Sequence, residues 1–171
     1  MDKSPPNETF KQLVSAWIRY RKEGGEYETL SDNIGAYWRD QLGNLYEMFY
    51  TDVKLGVSVG LGWIELYVKA CKGMQEILTA NPTFRIKVIQ VKQKFGDLRI
   101  YARMWSEGMP GDEHGDHLLD PSHELLRDQV DAIITAAAIE ATRTCEICGK
   151  PGALVTTNGY YHIACTNHSK P

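Results

Sequence analysis

The sequence predicts an α+β protein: N-terminal helices, a central antiparallel β-hairpin or small sheet, a long packing helix, and a C-terminal zinc-ribbon-like or treble-clef-like knuckle module. Three observations predict it. Apolar residues recur at three-to-four spacing over much of the chain, the helical period, but the period changes to two over Phe84–Val88 and again over Leu98–Arg103. The chain then closes on Cys145-x-x-Cys148 and Cys165-x-x-His168, two close-set pairs of metal-ligand type. With 171 residues, 43% hydrophobic and 24% charged, there is enough chain for one core and a small satellite. The expected division is a body over residues 1–142, helical over 1–55, and a metal module over 143–171 packed on it.

After a polar, proline-bearing tail, a helix is expected from Asn7, with Phe10, Leu13, Val14, Trp17 and Ile18 on one face until Gly24-Gly25 stops it. A second covers Asp32 to Tyr50, carrying Ile34, Trp38, Leu42, Leu45 and Phe49. Gly56, Gly60 and Gly62 break the pattern before Trp63, whose expected role is packing at a helix start. Helical period returns from Trp63 to Leu78, with Ile64, Tyr67, Val68, Cys71, Met74 and Leu78 facing inward, and Asn81-Pro82 ends it. Phe84, Ile86 and Val88 then alternate with Arg85 and Lys87; Lys94-Phe95-Gly96-Asp97 reads as the turn; Leu98, Ile100 and Ala102 alternate with Arg99, Tyr101 and Arg103. Two strands alone are marginal, so helices must cover the apolar side of this hairpin. Trp105 to His117 reads as a loop. Asp120 followed by Pro121 starts the last helix, which runs to about Thr142 with Leu125, Leu126, Val130, Ile133, Ile134 and Ala137 available for burial.

The cysteine spacing points to structural Zn²⁺ held by Cys145, Cys148, Cys165 and His168, since a tetrahedral ion takes four N/S donors. Only one long-range closure is needed, the 16 residues between Cys148 and Cys165. Within them Asn158-Gly159 is a two-residue turn signal, predicting Ala153–Thr157 paired with Tyr160–Ile163. Gly149 and Gly152 are expected at positive φ, turning amides towards the thiolates. His162 is the alternative ligand, otherwise expected to face solvent or lie over the hairpin. A redox C-x-x-C lacks its βαβ setting, and four cysteines in a chain with no apolar leader are sparse for a disulfide framework. Cys71, in an apolar helical stretch, reads as a small core residue.

The net charge of −3 hides an asymmetry. Residues 85–103 hold six basic side chains against Asp97, and residues 107–140 hold nine acidic ones against Arg127. Arg85, Lys87, Lys92, Lys94, Arg99 and Arg103, with Tyr101 among them, form a candidate nucleic-acid or partner-binding surface. Equally, they read as the wet face of a half-buried hairpin. The loop Asp112-Glu113-His114-Gly115-Asp116-His117 gathers possible metal donors but has the composition of a solvated connector. No nucleophile motif, phosphate-cradling glycine loop or carboxylate pair stands out, so no enzyme and no small-molecule substrate are expected. The longest uncharged apolar run, Leu55–Ile64, is too short to span a bilayer; a cytosolic protein is expected.

Three separated motifs in one order carry a resemblance: Gly60-Leu-Gly62-Trp63, the run Ile89-Gln-Val-Lys-Gln-Lys-Phe95-Gly96-Asp-Leu98-Arg99-Ile-Tyr101, and Cys145-Glu-Ile-Cys148-Gly149-Lys-Pro151-Gly152. Together, over roughly residues 58 to 168, they resemble a group of small, mostly uncharacterised proteins of bacteriophages and prophages. The chain departs from that pattern with Tyr160 in place of an indole and Ile163 in place of a threonine. The resemblance implies a phage context and no particular reaction. The expectation is a non-catalytic zinc-binding accessory protein in the cytosol of the bacterial host. It would bind and modulate a host macromolecule, with a defence protein as the expected target. The alternatives are a nucleic-acid-binding regulator using residues 85–103 and a zinc-knuckle nuclease. The nuclease would need a metal-holding histidine on the hairpin and a partner on a helix, and His162 is the lone candidate between the cysteine pairs.

Overall fold

A computed structural model describes residues 57–110 and 119–169; the helices expected over residues 7–50 and the donor-bearing loop 112–117 lie outside the described residues. The described chain runs β1 (Val57–Ser58), a 3₁₀ turn (Leu61–Trp63), α1 (Ile64–Ala80), β2 (Phe84–Lys94), β3 (Asp97–Ser106), a second 3₁₀ turn (Pro121–His123), α2 (Glu124–Ala141), β4 (Ala153–Thr157) and β5 (Tyr160–Ala164). One sheet has the order β1-β2-β3, with β1 parallel to β2 and β2 antiparallel to β3; β4 and β5 form a separate antiparallel pair.

Sequence period explains most of these elements. In α1, Ile64, Leu66, Tyr67, Ala70, Cys71 and Met74 are buried. Asn81 ends the helix, its side-chain amide donating to the Ile77 carbonyl at 2.8 Å. The turn between β2 and β3 is two residues, Phe95 at φ 56° and Gly96 at φ 84°, the pairing whose twist matches that of the strands. A non-glycine residue at positive φ is uncommon. Phe95 is held there between the Lys94 ammonium, 5.5 Å from its ring centroid, and the edge of Tyr161, 6.4 Å away.

Two departures from the alternating pattern have physical causes. The register slips between Val88 and Gln90, a bulge, so the buried phase moves from Phe84, Ile86 and Val88 to Val91. Strand β3 also runs on past Arg103 to Ser106, because Phe84 and Arg85 at the start of β2 pair with Ser106 and Trp105. The expected loop therefore begins two residues later, and Ser106 at its edge is a buried clasp. Its hydroxyl accepts from the Asp120 amide at 2.7 Å and lies 2.7 Å from Nδ1 of His123, drawing the end of β3 to the start of α2.

Asp120 caps that start as its position implies, accepting from the Ser122 amide at 2.8 Å and from the Ser122 hydroxyl at 2.6 Å. Helix α2 buries Val130, Ala137 and Ala141, with Leu126, Ile133 and Ile134 partly covered beside them. Leu125, expected inside, is 67% exposed. One residue is a turn of about 100° on a helix, and Leu126 rather than Leu125 continues the 130/133/137/141 seam. Helices α1 and α2 pack on each other and together cover the apolar face of β2 and β3. Trp63, Tyr67, Met74, Phe84 and Val130 fill the space between, essentially without exposure.

Candidate metal centre

The first ligand pair sits on a tight turn built by the backbone. Gly149 N–H donates to the Cys145 carbonyl and Cys145 N–H to the Lys150 carbonyl, each at 2.8 Å. Gly149 takes the expected positive φ of 69°, but Gly152 does not. Gly152 is needed for another reason, since a Cβ there would meet the Cys145 nitrogen at 2.9 Å. Asn158 (φ 51°) and Gly159 (φ 80°) make the turn between β4 and β5, whose pairing extends one residue beyond expectation, to Ala164. That hairpin returns Cys165 to the first pair, and His168 N–H, donating to the Cys165 carbonyl at 3.0 Å, closes the second turn.

The ligand atoms of Cys145, Cys148, Cys165 and His168 all lie within 4.8 Å of one another. The Cys148 and Cys165 sulfurs are 3.7 Å apart; Nδ1 of His168 is 3.5 Å from the Cys145 sulfur and 3.3 Å from the Cys165 sulfur. Tetrahedral angles at Zn–S of about 2.3 Å and Zn–N of about 2.0–2.1 Å place sulfurs about 3.8 Å apart and sulfur from nitrogen about 3.5 Å. The donor set therefore fits Zn²⁺ through Nδ1 of His168. A disulfide between Cys148 and Cys165 would need about 2.05 Å. Burial pushes the Cys148 thiol up to about 12, against the Lys150 amide and with the neighbouring Cys145 thiol adding to it. Burial also acts on Cys165, but hydrogen bonds from the Asn167 and His168 amides and from the Cys148 and Cys145 thiols together outweigh it, so that thiol lies below its ordinary value. Cys71 belongs to the core instead, and burial raises its thiol to about 12 against a hydrogen bond from Tyr67.

His162 is outside the cluster. It is 9% exposed rather than solvent-facing, its Nδ1 lying 3.3 Å from the Tyr160 carbonyl, because strand β5 turns its second half, His162 to Ala164, into the interior. Its neighbour in charge is Glu146, whose carboxyl is raised by burial against the pull of His162 and the Ile163 amide. One oxygen of Glu146 is buried without a hydrogen-bond partner.

Two contacts fasten this centre to the body, and the first was not legible as such in the sequence. Gly62 N–H donates to the Glu146 carbonyl at 2.8 Å, and Trp63 Nε1–H donates to the Thr144 carbonyl at 2.6 Å. The approach is so close that a Cβ on Gly62 would lie 2.8 Å from the carbonyl carbon of Glu146 and closer still to the Cys145 oxygen and the Gly149 nitrogen. The glycines that seem only to interrupt a helical pattern are the seat of the metal turn. Their spacing immediately before a tryptophan was the available signal. The second contact joins the two hairpin tips. Gln93 donates to the Tyr161 carbonyl at 2.6 Å and accepts from the Tyr160 hydroxyl at 2.8 Å.

The candidate binding residues of β2 and β3 share the sheet face turned away from the core. Their register sets Lys87 opposite Arg103 and Lys92 opposite Arg99. Arg85 is bound to Glu107 and the Pro82 carbonyl, and Arg99 lies 3.6 Å from Asp97. Lys92 stands 5.1 Å over the Tyr101 ring, whose phenol is held below its usual range chiefly by a hydrogen bond from Arg99. No described helix is long and apolar enough to cross a membrane. Compared with known proteins, the chain matches no family model, no curated protein and no solved structure.

Proposed function

We propose that this is a non-catalytic binding protein, stapled at its C-terminal end by structural zinc, that engages and modulates a protein of the bacterium infected by a phage, with a defence component as the first candidate. The observation that carries the structural role is the closed donor set. Three buried cysteines and His168 bring four donors within 4.8 Å of one another, enough to fill the positions that a catalytic zinc shares with water or substrate. The same turn supports the glycine seat before α1, so the metal organises a surface rather than a reaction centre. The phage setting rests on the resemblance of the three motifs. Affinity capture from a bacterial lysate, with zinc measured on the same sample, tests the reading. One host protein retained at stoichiometric zinc supports it, and a zinc-loaded sample retaining none opposes it.

A second reading is supported by the paired charges. Like charges directly opposite on a sheet repel, and Lys87 with Arg103 and Lys92 with Arg99 are two such pairs on one face. A polyanion would relieve both, with Tyr101 and Phe95 available to stack on bases. A gel shift that weakens steeply with salt and is lost in Lys92→Ala/Arg99→Ala supports nucleic acid.

A further inference from the structure

The tips of the two hairpins lie together and present one apolar patch. Phe95, at the turn between β2 and β3, is 64% exposed, and Leu154, Tyr160 and Tyr161 are exposed beside it. Contacts join them into a single surface. The Leu154 side chain lies against Gly96, the Phe95 and Tyr161 ring centroids are 6.4 Å apart, and Gln93 binds both Tyr160 and Tyr161. Phe95 is the residue there that folding does not account for. Its φ of 56° strains a bulky side chain, and Asn before Gly is the usual occupant, as at Asn158-Gly159 in the other turn. An exposed phenyl in that conformation supplies nothing the turn needs, and strain of this kind gathers at binding sites. Large apolar side chains clustered on a surface mark a contact, and rigid aromatic ones are its usual anchors.

We propose that Phe95 is the anchor by which this protein holds its partner, entering from the joined hairpin tips into an apolar cleft edged by Asp and Glu side chains. The inference rests on the protein-binding reading above. Charge decides the edge of the cleft. Residues 92–99 carry Lys92, Lys94 and Arg99 against Asp97, and the Lys94 ammonium stands 5.5 Å from the Phe95 ring centroid. Carboxylates around the entering phenyl meet these cations. A nucleic-acid strand fits this patch less well. Lys94 already takes one face of the Phe95 ring, and Leu154 offers no ring on which a base could stack. A second copy of this chain fits no better, since two such tips would bring lysines against lysines.

The test uses the full, zinc-loaded chain, a displayed library of random peptides, and Phe95→Asn, which gives the turn the Asn-Gly pair that suits it. Phe95→Asn should melt at or above the parent's temperature. A fall of about 5 °C or more overturns the proposal, because Phe95 then serves the fold. Peptides selected on the parent should combine bulky apolar residues with Asp or Glu. A synthetic peptide of that consensus should bind Phe95→Asn about tenfold or more weakly. Lys92→Ala/Lys94→Ala should weaken it as well and flatten its salt dependence. Ala132→Arg, on an exposed position of α2, should leave binding unchanged. The proposal is overturned by a selection that enriches nothing or enriches peptides without acidic residues, or by binding that Phe95→Asn retains. It is equally overturned by Phe95-dependent binding of an oligothymidine strand alone, or by Phe95-dependent self-association in sedimentation runs. If Phe95→Asn captures the same host protein as the parent, the anchor is wrong and the functional reading stands. Consensus peptides that bind through Phe95 while no host protein is captured leave the anchor standing and remove the functional reading.

Discussion

Replacing Gly62 by alanine tests the link between the metal centre and the body most directly. The added Cβ would sit 2.8 Å from the carbonyl carbon of Glu146, with the Cys145 oxygen and Gly149 nitrogen nearer. Carbon atoms rest at about 3.5–4.0 Å, so the turn must retreat by about 0.7 Å or more, and backbone cannot swing aside as a side chain can. That retreat strains or breaks two hydrogen bonds, from Gly62 N–H to Glu146 and from Trp63 Nε1–H to Thr144. Each is worth about 0.5–1.5 kcal/mol, and overpacking of the kind forced here typically costs about 1–3 kcal/mol more. The expected loss is therefore about 2–6 kcal/mol, read as a lowered urea midpoint with zinc present throughout. Gly73→Ala is the matched control. Its Cβ would meet only the flexible Ile133 side chain at 3.1 Å, and alanine gains up to about 1 kcal/mol inside a helix, so the change should be close to neutral. A Gly62→Ala protein within about 1 kcal/mol of the parent would refute the reasoning, since the seat would then be soft.

Removing zinc with a strong chelator, or substituting Cys148→Ser or His168→Ala, should destabilise residues 144–169 by at least about 5 kcal/mol, followed by loss of their dispersed amide resonances. In the chelated chain a thiol reagent should label three of the four cysteines, sparing Cys71, which burial holds up to about 12; rapid labelling of all four would contradict the assigned core. Asp120→Asn should lower the melting temperature by a few degrees and remove part of its acid dependence. The Asp120 carboxyl lies below its ordinary value because the Ser122 hydroxyl and amide bind its charged form, so its contribution is present above about pH 4 and fades as pH falls through the depressed value. Melting curves of parent and variant should accordingly converge in acid. Gln93→Ala, which breaks both hydrogen bonds between the hairpin tips on an exposed surface, should cost about 1 kcal/mol and loosen β4 and β5 in amide exchange without releasing the metal.

What the sequence revealed depended on how far apart the cooperating residues lie. Local rules sufficed for α1, for the turns at Phe95-Gly96 and Asn158-Gly159, and for the start of α2 at Asp120-Pro121, because each is decided within a few residues. The ligand set was legible for the same reason: each pair is a short turn of metal-ligand spacing, which implied the one long link. Strand β1 was not legible, being two residues paired in parallel with Val91 and Lys92, far away in sequence. Neither was the bulge at Ile89, since Val88, Ile89 and Val91 are all β-branched and fit either phase. Leu125 misled because α2 has more apolar positions than its seam uses. Ser106 and His123 carry no local signal, and only the closure of β3 onto α2 brings them together.

The seat at Gly62-Trp63 completes itself with residues made much later, Thr144 lying 81 positions beyond Trp63. Until Thr144 is in place the indole lacks this acceptor for its N–H. The seat before α1 is thereby completed only when residues 144–149 are in place. A chain cut short before Cys165 lacks two of the four clustered donors that would hold that late partner in place.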